Sequence, residues 1–139
     1  MSYLLDTNVV SELRKSPTRI DANVAAWAAQ LDIEQQCLSA ITVFEVELGI
    51  RQLERRDTVQ AAILWRWFDV AVLDAFDGRI LPVDKDVARL ASRLHVPDPR
   101  PERDGFIAAT ALAHGLTLAT RNVTDFDPTG AAVFDPWAR

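Results

Sequence analysis

Short apolar runs alternate with longer stretches of helical periodicity along this chain. Residues 2–5 form an apolar run that stops at Asp6. Residues 8–15 follow with Val9, Val10 and Leu13 on one side, a helical spacing, and Ser16-Pro17 ends them. Residues 23–31 repeat the helical pattern around Trp27. Residues 37–41 read as a strand. Thr42 then offers an N-cap with Glu45 three residues later, the capping-box spacing, and the helix it opens extends to about Arg56. Asp57-Thr58 opens another, to about Phe76. A strand over 80–83 and a helix over 84–95 come next, the helix carrying Val87, Leu90, Ala91 and Leu94 at helical spacing. Residues 104–114 predict a helix that is apolar on every side, hence buried, and closed by Gly115. Strands over 116–119 and 132–134 flank a polar turn, residues 120–125.

Strands that alternate with helices predict an α/β fold with a mainly parallel sheet. Right-handed crossovers then put helices on both faces. Pro97, Pro99 and Pro101 make a stiff extended segment. It resembles a linker, but the 38 residues after it are too few for a core of their own. The chain therefore reads as one domain, 1–139. Apolar stretches are broken by charges well before 18 residues, so no membrane-spanning helix is expected. The first residues lack the basic segment of a signal peptide. The single cysteine, Cys37, excludes a disulfide framework and reads as inert core. A reducing cytoplasm is the expected location.

In a parallel sheet the carboxyl ends of strands and the N-termini of crossover helices share one edge, where ligands bind. Asp6 ends the first strand, Glu45 sits in the first turn of the helix after the second, Asp104 starts the helix before the fourth, and Asp125 lies in the turn after it. Four carboxylates at one rim repel: at an effective dielectric near 20, two charges roughly 5 Å apart cost about 3 kcal/mol. Either some stay protonated or a cation sits among them. Oxygen ligands select a hard ion, Mg²⁺ or Mn²⁺. Taken singly, each acid is better explained as a cap or a macrodipole partner, and only the four at one edge together bring the site reading level with that one. A net charge of −5 also rules out bulk attraction to nucleic acid, so such binding requires an ion or a local basic patch.

The residues also carry a resemblance. Leu4-Leu5-Asp6-Thr7-Asn8-Val9-Val10-Ser11-Glu12 resembles the opening of PIN-domain nucleases, and Ser39-Ala40-Ile41-Thr42-Val43-Phe44-Glu45-Val46-Glu47-Leu48-Gly49 resembles their second motif. Asp104-Gly105-Phe106-Ile107-Ala108-Ala109-Thr110-Ala111 and the segment from His114 through Thr120-Arg121-Asn122-Val123-Thr124-Asp125-Phe126 are similar to the last two, in order. The VapC-type toxins of bacterial toxin–antitoxin pairs are most similar. The resemblance implies a PIN-like three-layer sandwich, with a mainly parallel five-stranded sheet and helices on both faces. It implies a metal-dependent endoribonuclease whose acidic pocket is Asp6, Glu45, Asp104 and Asp125. In that reading Asp6 and Asp104 ligate Mg²⁺ or Mn²⁺ directly, and Asn8, Thr120 and Asn122 orient carboxylates or water. The implied partners are an RNA substrate, a cognate antitoxin and a second copy in a homodimer.

Several residues have two readings. Glu47 points about 200° from Glu45 around the helix and sits four residues before Arg51, so it reads as surface. Glu12 reads as a solvated helix position. Arg51, Arg55 and Arg56, interleaved with acids, read as a solvated face rather than an RNA patch. Arg121, inside the site turn, is a candidate phosphate contact. Neither His95 nor His114 has metal-ligand spacing. Apolar residues of 58–76 cover too much circumference for one-sided packing, and one side is expected to be an interface. Two other functions compete. One is a phosphatase or phosphoacceptor with Asp6 as covalent nucleophile, disfavoured because Asn8 stands where a second Asp is common. The other is a non-catalytic RNA-binding module, disfavoured by the presence of all four acids.

Overall fold

A computed structural model of the chain describes residues 1–138. Five parallel strands form one sheet in the order β3-β2-β1-β4-β5. They are β1 (Tyr3–Leu5), β2 (Gln36–Ser39), β3 (Ile80–Leu81), β4 (Thr117–Ala119) and β5 (Val133–Phe134). The helices are α1 (Thr7–Leu13), α2 (Ala22–Ala29), α3 (Ala40–Glu54), α4 (Thr58–Trp67), α5 (Lys85–Leu94), α6 (Glu102–His114) and α7 (Val123–Phe126).

The central strand shows how sequence sets the layers. Successive residues of a strand face opposite sides. Leu5 accordingly packs with Val9 and Val10 of α1, Ile50 of α3, and Phe68 and Val72 beyond α4. Leu4 packs on the opposite face with Ile107, Ala108 and Ala111 of α6 and Phe126 of α7. Both leucines are essentially inaccessible, and truncating either to Ala costs about 3 kcal/mol. Small residues let α6 come close: Ala108, Ala109 and Ala111 are fully buried. Gly105 of α6 lies against α5's C-cap, where an added Cβ would stand 2.6 Å from His95 Nε2.

Three boundaries differ from the sequence expectation. β2 ends at Ser39, whose hydroxyl caps α3 by accepting from Ile41 N–H, so Thr42 is not the cap but a buried residue inside the helix. The expected helix over 58–76 changes pitch after Trp67, and Phe68–Asp74 forms a π-helical turn. Trp65 and Trp67 of α4 are half-buried against the core, while Val59, Ile63 and Val70 face solvent. The polar turn after β4 contains a short helix, α7, that carries Asp125. No helix among the described residues is long and apolar enough to cross a membrane.

The strand order reverses direction between β1 and β4, which pair Leu4 with Leu118 and Leu5 with Ala119. Such a switch point leaves a crevice outside the carboxyl ends of the two strands. Asp6 and Thr120 are the residues that follow those ends.

Candidate active site

Asp6 takes an extended conformation as the N-cap of α1, and its own N–H donates to Ala119 O at 2.9 Å. That backbone bond ties the cap to β4. The carboxylate is only 6% exposed and both its oxygens are engaged. Thr7 N–H donates to Oδ1 at 2.8 Å, and the Thr120 hydroxyl donates to Oδ2 at 2.7 Å. Burial nonetheless pushes the Asp6 carboxyl up to about 6, against the two hydrogen bonds, and the charges of Asp104 and Glu45 push the same way.

Thr120 joins the two strand ends. While donating to Asp6 it accepts from Asn122 N–H at 3.0 Å and from the Asn8 side-chain amide at 3.4 Å. Asn8 Oδ1 in turn accepts from Arg121 N–H at 3.4 Å. Asn8 thus acts through its side chain, whereas the contribution of Asn122 to this knot is its backbone N–H. Arg121 places its guanidinium over Trp137, 5.1 Å from the ring centroid, and its charge acts on Glu12.

Glu45 lies in the second turn of α3 and is reached from α1: the Thr7 hydroxyl donates to Glu45 Oε1 at 2.7 Å and stands 3.1 Å from the Thr42 hydroxyl. Arg103 Nη1 approaches Glu45 Oε2 at 3.7 Å. Glu47 turns away and pairs with Arg51 at 2.9 Å on the outer face. Asp104, in the first turn of α6, has its carboxyl raised by burial and by Glu45 and Asp125, with Arg100 pulling it back. Asp104 and Asp125 share a cleft of about 380 Å³ walled by the proline-rich segment before α6.

The four expected acids are therefore linked electrostatically through Asp104: Asp104 and Glu45 act on Asp6, and Glu45 and Asp125 act on Asp104. Among the described residues no three His, Cys, Asp or Glu side chains stand near enough to enclose an ion by themselves. The donors are all oxygen, and a divalent cation would offset the repulsion that adds to burial in raising Asp6 and Asp104.

Two members of this site lie outside the sequence expectation: Thr7, and Thr42, whose spacing to Glu45 suggests a cap. Thr7 stands next to Asp6 in the opening motif, and that adjacency was the available signal. Glu12 is also not solvated: it is 7% exposed and accepts from Lys15 Nζ and from Asp21 N–H, both at 2.8 Å, so it fastens the loop into α2.

Comparison with known proteins places this geometry. Residues 3–129 match the family described as PIN domain. The toxin FitB of Neisseria gonorrhoeae is 40% identical over 140 residues, covering 96% of this chain and 97% of that protein. The VapC ribonuclease Y4jK of Sinorhizobium fredii is 38% identical over 142 residues, covering 96% of each. The crystal structure of FitAcB from Neisseria gonorrhoeae superposes with a TM-score of 0.88 at 38% identity, covering 97% of this chain and 98% of that one.

Proposed function

Because this chain belongs to the PIN-domain family, among the VapC- and FitB-type toxins of toxin–antitoxin pairs, we propose that its acidic rim is the centre of a metal-dependent endoribonuclease. The observation that carries the reading is the pair of carboxyls, Asp6 and Asp104, raised first by burial and then by neighbouring acids, Asp104 and Glu45 for Asp6 and Glu45 and Asp125 for Asp104, at the switch point of the sheet. Asp6 and Asp104 are the proposed direct ligands of Mg²⁺ or Mn²⁺. Glu45 and Asp125 complete the negative rim and hold water. When bound, the ion supplies a nucleophilic water at neutral pH and neutralises charge on the phosphodiester oxygens.

The chain's own groups set the geometry. The Thr7 N–H and Thr120 hydroxyl fix the rotation of the Asp6 carboxylate. The Thr7 hydroxyl fixes Glu45. Asn8 ties α1 to the loop after β4 through Thr120 and Arg121. With both oxygens accepting hydrogen bonds, Asp6 is better placed to hold a charge than to attack phosphorus, which favours the nuclease over the aspartyl-phosphate reading. Arg121 keeps a substrate role only if its guanidinium leaves Trp137. The proposed setting is cytoplasmic, with a cognate antitoxin as inhibitor and a homodimer built on the exposed Val59, Ile63 and Val70.

The test is cleavage of a labelled single-stranded RNA with Mg²⁺, with Mn²⁺ and with EDTA, beside Asp6→Asn and Asp104→Asn. Cleavage is expected only with a divalent ion and only in the wild type. Cleavage in EDTA, or full activity in both variants, overturns the proposal.

A further inference from the structure

Phe44 and Arg103 stand together at the edge of the rim. Phe44 precedes Glu45 on α3 and is 50% exposed, the most exposed aromatic among the large hydrophobic side chains. The guanidinium carbon of Arg103 lies 4.9 Å from the Phe44 ring centroid. Arg103 precedes Asp104 on α6, and its side chain is 48% exposed. Among the described residues it is the one cation within ion-pair distance of Asp6, Glu45, Asp104 or Asp125.

Its ties are loose. The contact with Glu45 is 3.7 Å and half in solvent, the kind of pair that contributes little. Its neighbours are fastened elsewhere. Arg100 Nε donates to Leu94 O at 2.6 Å. Arg51 is held by Glu47 and lies over Trp65. Arg121 lies over Trp137. Glu45 does not depend on Arg103, because the Thr7 hydroxyl holds its other oxygen at 2.7 Å.

We propose that Phe44 and Arg103 are the substrate-positioning pair for single-stranded RNA, Arg103 exchanging Glu45 for a backbone phosphate while a nucleobase stacks on Phe44. The inference rests on the ribonuclease reading above and names how its substrate is held. A chain of net charge −5 has to recruit RNA by a local cation, and a guanidinium fork fits phosphate in two-point contact. Unpaired bases stack on aromatic faces and on guanidinium planes with little regard to sequence. Arg103 stands 3.7 Å from Glu45, so a phosphate gripped there lies beside the acidic rim.

The experiment measures binding and turnover separately. Anisotropy of a labelled single-stranded RNA in EDTA gives affinity without cleavage, and steady-state cleavage with Mg²⁺ gives KM and kcat. Arg103→Ala is expected to weaken binding roughly tenfold and to lower the log–log salt slope by about one. Phe44→Leu is expected to weaken binding several-fold and Phe44→Tyr to restore it. In both losses KM rises while kcat stays within about twofold. Circular dichroism of each variant, with Arg103→Lys as a conservative partner, separates loss of contact from loss of fold. Unchanged affinity and salt slope in Arg103→Ala overturn the proposal. So does a fall in kcat alone, which would make Arg103 a partner of Glu45 only. Retained RNA binding with lost capture of a protein inhibitor would make this a protein-docking surface and overturns it as well. A wild type that cleaves RNA beside an equally active Arg103→Ala removes this inference alone, whereas a wild type that neither binds nor cleaves RNA removes the ribonuclease reading with it.

Discussion

Asp6 and Glu12 stand at the two ends of α1, at 6% and 7% exposure, yet their carboxyls are displaced in opposite directions. Asp6 is raised to about 6, because burial outweighs its hydrogen bonds and its charged neighbours are Asp104 and Glu45. Glu12 is lowered, first by the hydrogen bond from Lys15, then by Asp21 N–H, which together outweigh the cost of burial, with the charges of Lys15 and Arg121 adding lesser pulls in the same direction. Low exposure is common to the two, but depth is not: desolvation is the largest influence on Asp6 and is outweighed by hydrogen bonds at Glu12. Company differs as well. Glu12 is closed in by its own partners near the surface, and every partner is a donor or a cation. Asp6 faces other acids across a crevice. A carboxylate whose charge is fully answered serves structure. One whose charge is left unanswered marks a place where something else supplies the cation.

Near-isosteric amides test that contrast most directly. Asp6→Asn is expected to lose about 10³-fold or more in RNA cleavage, since the charge it removes is the one proposed to hold the ion. Glu12→Gln is expected to retain most of the rate. An equal collapse in both variants would erase the distinction. The next effect in size concerns the group that orients Asp6. Thr120→Val removes the donor to Asp6 Oδ2 and the acceptor for Asn122 N–H while keeping volume. Cleavage is expected to drop about 10–100-fold, as for partners that orient metal-binding carboxylates. Unchanged kcat in that variant would show that Asp6 needs no such brace.

The acids were legible before the structure because a parallel sheet gathers strand ends and helix starts on one rim, and Asp6, Glu45, Asp104 and Asp125 all lie at such ends. The hydroxyls around them were not. Whether Thr7 reaches Glu45 depends on the rotation of α1 against α3 across 38 residues of chain. Thr42 looked like a cap because Ser39 and Thr42 are both good caps and helix starts are uncertain by a few residues. Glu12 carried the composition of a surface position, and its burial is set by the backbone of Asp21, nine residues away. Arg103 and Phe44 meet across 59 positions, and no local pattern announces that contact.

Stability should separate the two carboxylates as well as activity does. For Asp6 the folded pKa lies above the unfolded one, so the stability tied to its proton is complete below about 3.8 and is lost as pH rises through about 6. The loss at neutral pH amounts to about 3 kcal/mol. Asp6→Asn escapes it. Its Oδ1 can still accept from Thr7 N–H, but its amide meets a Thr120 hydroxyl whose proton must turn elsewhere, at a cost of about 1 kcal/mol. The expected net is a Tm about 4–8 °C above wild type at pH 7.5 without divalent ions, fading below pH 4. Adding Mg²⁺ should raise the wild type toward the variant and leave the variant unmoved.

Glu12→Gln should show a smaller effect of the opposite sign. The folded pKa of Glu12 lies below the unfolded one, so its stability is present above the unfolded value of about 4.5 and disappears as pH falls through the folded one. Gln keeps an oxygen for Asp21 N–H but loses the charge that draws Lys15. Lys15 is 41% exposed, and solvent screening keeps that loss modest. The variant is therefore expected to melt slightly below wild type at pH 7.5 and to match it near pH 3, with no response to Mg²⁺ beyond that of the wild type. Thermal melts at the two pH values check this. A Glu12→Gln that melts above wild type at neutral pH would mean that the charge of Glu12 is unanswered too, and the difference between the two ends of α1 would no longer be one of company.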